Sequence, residues 1–226
     1  NVRYLCGFTG SNGVLVAMPG RRVLLTDSRY TVAARGQVHD TEVVIAGRDL
    51  MDRLAEVVPA GRVGIEAEHV SVARRDRLAD RLQGVDLVGT SGLVEGLRVV
   101  KDAGEIELIR EATRIADAAL NRLVDEGFAG RTEAEVAWAL HGWMRDGGAT
   151  GASFDIIVAA GAHGALPHAV PRGERIPEDT LVVVDMGARY AGYASDCTRT
   201  LATGTLPPAL EEAYAVCLEA QRAALA

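Results

Sequence analysis

The chain has 226 residues, a formal charge of -7 and one lysine, Lys101, with no block of basic residues anywhere. A nucleic-acid surface needs a clustered cationic face, so a nucleic-acid partner is excluded. Cysteine is scarce: Cys6, Cys197 and Cys217 are odd in number and far apart. They build neither a disulfide framework nor a CxxC metal pair and read as reduced thiols in a cytoplasmic protein. No apolar run approaches the roughly 18 residues of a membrane helix. A charged-then-apolar leader is also missing, so no membrane partner is expected. There is no internal repeat and no low-complexity tract. The Gly-rich GFTGSNG at residues 7–13 lacks the GxGxxG and GxxxxGK[ST] spacings and precedes a strand, so it reads as a turn rather than a phosphate cradle. The chain opens on Asn1 rather than Met and stops inside a helical pattern, which leads to the expectation that both ends are cut.

What is present is ordinary globular composition, 48% hydrophobic and 24% charged, enough for one large or two small domains. Residues 1–97 alternate short apolar runs with helical stretches. Strands are expected at Val14–Ala17, Val23–Thr26, Glu42–Ile45, Val63–Glu66 and Val85–Val88, and NVRYL at the start also reads as strand-like. Helical stretches fall at Ser28–Ala34, Leu50–Val57 and Ser71–Leu82, with Ser71 as N-cap. This alternation predicts an α/β layer fold. GTSGLVEGL, poor in helix signal, marks a boundary near Leu97. Asp102 with Glu105, and Thr132 with Glu135, then form two capping boxes. The helices they start carry apolar faces, Ile109, Ala112, Ala116, Ala119 and Leu123 on the first and Val136, Leu140 and Trp143 on the second. Strands follow at Phe154–Ala160, Leu181–Val184 and around Tyr193–Thr200, and a last helix follows Pro207-Pro208. Residues 98–226 thus predict an α+β domain.

The chemistry concentrates in LVVVDMGARYAGYASDCTRT, residues 181–200. A buried strand ends at Asp185, Gly187 and Gly192 bracket a turn, and a second strand carries Asp196. A hairpin turning on Tyr190-Ala191 sets the two aspartates directly opposite each other on one face. Opposed residues have Cβ atoms about 4.5–5.5 Å apart, and two like charges there repel. A shared proton or a divalent cation on hard oxygen ligands would neutralise them. The bland alternative is a turn aspartate and a solvated one. Upstream, prolines flank His168 in GAHGALPHAVPRG; a fixed imidazole there could donate to a developing oxyanion or shuttle a proton, against the plainer reading of a loop histidine. His163, His141, His39 and His69 read as ordinary connecting or mid-helix histidines. In TDSRYT, Asp27 reads as a strand end before a helix start.

NVRYLCGFTGSNG, LLTDSRYT, LRVVKDAGEIELIREA, ALPHAVP and VVVDMGARYAGYASDCTRT, in this order, resemble aminopeptidase P and prolidase. These are the pita-bread metallopeptidases with a creatinase-like N-terminal domain. The resemblance implies a creatinase-like α/β domain over 1–97, lacking its first strand, and the first half of a pita-bread domain over 98–226. It implies two divalent ions, manganese first and cobalt or zinc as alternatives, on Asp, Asp, His, Glu and Glu. Asp185 and Asp196 match the first two, and the other three are expected beyond Ala226. His168 matches a histidine that stabilises the tetrahedral intermediate. A metal-activated hydroxide attacks the bond before proline in a peptide substrate, and the fragment itself is expected to be inactive. Such proteins are commonly cytoplasmic homodimers. Three rival readings stand beside this one. A creatinase works without metal, a non-catalytic peptide-binding module loses the carboxylates, and a methionine aminopeptidase lacks residues 1–97.

Overall fold

In the computed structural model, which describes all residues 1–226, the chain divides between Val100 and Lys101 into two units. The first unit runs α1 (Val2–Cys6), β1 (Gly13–Met18), β2 (Arg21–Asp27), a 3-10 turn (Ser28–Tyr30), α2 (Thr31–Gln37), β3 (Glu42–Ala46), α3 (Met51–Val57), β4 (Gly61–Glu66), α4 (Val72–Arg81), β5 (Val85–Thr90) and α5 (Leu93–Val99). β2 is the middle of a three-stranded sheet, antiparallel to β1 and parallel to β3. Its residues Val23 to Asp27 are all buried, as a strand covered on both faces must be. Val23 and Leu25 join Met51, Leu54 and Leu78 on one side, while Leu24 joins Phe8, Cys6 and Ala34 on the other. β4 pairs only with β5, as a separate parallel ribbon.

The second unit runs α6 (Ala103–Glu126), α7 (Glu133–Asp146), β6 (Gly151–Ala152), β7 (Ile157–Ala160), a 3-10 turn (Gly161–Ala165), β8 (Thr180–Met186), β9 (Ala188–Tyr190), β10 (Tyr193–Ala194), β11 (Cys197–Thr203) and α8 (Pro208–Leu225). Both capping boxes form, so each helix starts with its first orphan N–H groups satisfied. Ala112, Ala116, Ala119 and Leu123 of α6, with Val136 and Leu140 of α7, face the core. β8 is central in the sheet β11-β8-β7, and its burial alternates along its whole length. Val182, Val184 and Met186 enter the core, and Leu181, Val183 and Asp185 lie on the half-open face.

Four expected elements differ. NVRYL is the helix α1, ended by Gly7 in the left-handed conformation at φ 81°. Five residues are too few to show a helical period. GTSGLVEGL contains α5, which starts beyond Gly92 at φ 71°. The strand expected over Phe154–Ala160 is only β7, because Ser153 is drawn across to β9 territory by its bond to Gly187 O and β6 pairs with β9. The strand around Tyr193–Thr200 is split at Ser195, whose hydroxyl donates to Ala112 O on α6 and accepts from Ala188 N–H.

The hairpin register is the correction with most consequence. The turn centres on Ala191-Gly192, at φ 45° and 91°, rather than on Tyr190-Ala191. A tight hairpin turn of this kind needs two left-handed residues, and glycine takes one without a Cβ penalty where tyrosine would not. Tyr190 therefore pairs Tyr193, and Asp185 pairs Thr198, not Asp196. The same alignment sets Asp196 across from Gly187. Moving a turn by one residue moves the pairing by two, so alternation still puts both aspartates on one face, as diagonal neighbours.

Gly187 is required by that crossing, since a Cβ there would lie 2.0 Å from Ser195 O and 2.2 Å from Ser153 Oγ. Gly187→Ala should destabilise the protein by about 3 kcal/mol, read from the urea midpoint. Ala191→Gly should do the opposite. Relief of roughly 1–2 kcal/mol of left-handed strain exceeds the ~0.5–1 kcal/mol entropy cost of glycine, so the midpoint should rise.

Candidate metal centre

Asp185 is the last outward residue of β8. Val182, Val184 and Met186 on either side of it are buried, and this packing fixes the strand's orientation and turns the carboxylate to the open face. Thr198, its partner on β11, donates its hydroxyl to Asp185 Oδ1 at 2.8 Å. Asp196 is exposed and follows Ser195, which is buried and anchored to α6. The pair is thus held by backbone tied down on both strands. Cys197, the residue after Asp196, feels the charges around it. Burial pushes its thiol up, Arg199 pulls it down, and the carboxylates of Asp117, Asp185 and Asp196 push it up further. Three carboxylates therefore act on one half-buried sulfur. Asp117, from the exposed side of α6, was not singled out in the sequence, because at helical spacing it looks like any solvated acid.

The loop carrying His168 covers the same face of β8. A Cβ on Gly164 would meet Val183 Cγ2 at 3.3 Å, and Val183 lies on the same side of the strand as Asp185. His168 itself is exposed, while its neighbour Ala169 is buried. The open face thus carries Asp185 and Asp196, and the turn at Gly161–Ala165, which precedes His168, lies against Val183 on that face.

His163 is not the ordinary connecting histidine that the sequence suggests. Its side chain is 8% exposed, and Nδ1 lies 2.9 Å from Oε2 of Glu133, whose own side chain is 2% exposed. Glu133 also accepts from Ala160 N–H at 2.9 Å, from Arg172 N–H at 2.9 Å and from Arg172 Nε at 3.3 Å. Burial pushes this carboxyl up, and the hydrogen bonds from Ala160, His163 and Arg172 together hold it below the usual range. A glutamate after a capping threonine is a routine first-turn residue, so only the fold reveals it. His141 stacks on exposed Trp138, centroids 5.8 Å apart. In the first unit Asp27 is buried, bound by Arg29 and by Asn12, and held well below the carboxylate range by those bonds. Glu66, His69 and Glu95 also approach one another there, with the Asn1 amide donating to both glutamates.

An α/β unit followed by a unit of helices and two three-stranded antiparallel sheets, with Asp185 and Asp196 on its open side, has the make-up of the creatinase-like and pita-bread class. Residues 107–226 match the metallopeptidase family M24, and residues 1–100 match the creatinase/prolidase N-terminal domain. The chain belongs to metallopeptidase family M24. It is 38% identical over 224 residues to the uncharacterized peptidase YqhT of Bacillus subtilis, covering 98% of this chain and 64% of that protein. Among solved structures it resembles the Xaa-Pro dipeptidase from Bacillus anthracis at TM-score 0.91 and 38% identity, over 97% of this chain and 62% of that one. The X-Pro aminopeptidase from Thermotoga maritima MSB8 gives TM-score 0.92 and 36% identity, over 97% and 63%. The chain therefore spans a little under two thirds of these relatives.

Glu133 makes the second unit acid-sensitive in a definite direction. A carboxyl depressed in the folded state adds stability that is complete above its unfolded value near 4.5 and is lost as pH falls through the lower folded value. The difference in urea midpoint between wild type and Glu133→Gln should be largest at about pH 7 and should shrink steadily below about pH 4.5.

Proposed function

We propose that the whole protein hydrolyses the peptide bond before proline in dipeptides or longer peptides, with two divalent ions held in part by Asp185 and Asp196. Manganese is the expected ion, and hard oxygen donors of this kind also accept cobalt or zinc. The observation that carries the reading is the pair of carboxylates on one open sheet face. The donor set fits the ions: both aspartates offer hard oxygens, and the Thr198 hydroxyl fixes the orientation of Asp185. When bound, the ions supply positive charge that offsets the like-charge repulsion and polarises the scissile carbonyl.

His168, exposed on the loop that follows β7, is read as the donor of a hydrogen bond to the oxyanion that develops on the substrate. The creatinase and peptide-binding alternatives have no use for the aspartate pair. Residues 1–97 are read as the creatinase-like domain and 98–226 as the first half of the catalytic one. The free edges of β1 and β4, flanking an apolar cavity of about 380 Å³ lined by Val14, Val16, Val63 and Ile65, favour one more strand in that first domain. A cytoplasmic homodimer is the expected setting; no helix is long and apolar enough to cross a membrane.

The full-length protein, assayed on Xaa-Pro dipeptides and longer Xaa-Pro peptides with manganese, cobalt or zinc, should release the residue before proline. Asp185→Ala should abolish turnover, a loss of several kcal/mol of transition-state stabilisation. Activity that survives Asp185→Ala, or inactivity with every ion, overturns the proposal.

A further inference from the structure

Glu133 binds both ends of one loop. Its oxygens accept from Ala160 N–H where β7 ends, from the His163 ring inside the following turn, and from Arg172 N–H and its guanidinium at the far end. A carboxylate offers about four acceptor positions, and here they are filled by donors from residues 160, 163 and 172. The residues between Ala160 and Arg172 therefore form a closed loop tied at its neck by one buried side chain.

The helix that carries Glu133 reinforces the neck. Glu133 is the first residue of α7, where backbone N–H groups have no partner within the helix. Ala134 N–H donates to Arg172 O at 3.0 Å, so Arg172 is held through its N–H by the carboxylate and through its carbonyl by the helix. Just beyond, Ile176 N–H donates to Arg131 O and Gly130 N–H to Ile176 O. Within the loop, Leu166 N–H donates to His163 O and Ala169 N–H to Leu166 O, and buried Ala169 seats the segment. His168 is thus an exposed ring on a backbone held from both sides, and each hold leads back to Glu133 or to the turn that Glu133 fixes through His163.

We propose that Glu133 is the positioning residue of the His168 loop: it sets where the imidazole stands without itself touching substrate. This rests on the reading of His168 as the oxyanion donor. A purely structural glutamate would affect how much protein folds, not what each folded molecule does. A positioning glutamate affects the rate through His168 alone, since misplacing a catalytic group by about 1 Å can cost ~100-fold.

The test uses the full-length, metal-loaded protein. Glu133→Gln keeps the size but sets an amide N–H against the donors of Ala160, His163 and Arg172. It should lower kcat on an Xaa-Pro peptide about 10- to 100-fold with KM nearly unchanged, as expected for an interaction used in the transition state. In a His168→Ala background the same change should cost less than about 2-fold. Amide hydrogen exchange at Ala160, Leu166, Ala169 and Arg172 should rise at least about tenfold while exchange in α6 stays as in wild type. His163→Leu should reproduce part of both effects, and His163→Asn, which keeps an N–H donor, should restore them. Equal kcat losses in both backgrounds, or unchanged exchange in the loop, overturn the proposal. If Glu133→Gln unfolds the protein, the His163 pair decides by the same readouts. A parent that cleaves no Xaa-Pro peptide defeats the functional reading, and the exchange data then judge the loop clamp alone.

Discussion

Most of what the second unit does follows from one strand buried on one side only. Val182, Val184 and Met186 fill the core between the sheet and the two capped helices, and removing any of them from water is worth about 1.5–3 kcal/mol. That cost fixes the orientation of β8, because a one-residue slip would bring Asp185 inward and expose three apolar side chains. The strand, and the acid with it, is therefore held outward by hydrophobic packing, and the Thr198 hydroxyl then orients the carboxylate. Everything on the open face inherits this: Thr198 beside it, Asp196 diagonal to it, and the loop that lies over Val183.

Two carboxylates on such a face are an electrostatic load, and the fold does little to relieve it internally. One hydroxyl donates to Asp185, and Asp196 is left to solvent. Contrast Asp27 in the first unit, where Arg29 and Asn12 neutralise and satisfy a buried acid completely. Asp27 is an acid serving structure, and its partners come from its own unit, Arg29 two residues on and Asn12 fifteen residues back. The Asp185 and Asp196 pair has the opposite character, with the backbone rigid and the charge uncompensated, which suits a site completed by something from outside.

The sequence carried the elements whose signals are local. Both capping boxes, the apolar face of α6, the strands of the first unit and the helix after Pro207 stand close to where residue patterns put them. The aspartate pair was legible through spacing and its place among ordered motifs. What escaped depends on contacts distant in sequence. Glu133 is decided by Ala160, His163 and Arg172, none of which leaves a mark on its neighbours. Ser195 breaks a strand because Ala112 lies beneath it. The turn position was misread by one residue because Gly192 was taken as the boundary of the turn rather than as part of it.

The face that the two aspartates share does not depend on which residue pair forms the turn. Pairing across a hairpin shifts by two for each step of the turn along the chain, so parity survives sliding. It does not survive a residue inserted or deleted within one strand, between an aspartate and the turn, which would send one carboxylate to the far side of the sheet, whereas a residue added within the turn itself leaves the flanking pairs as they are.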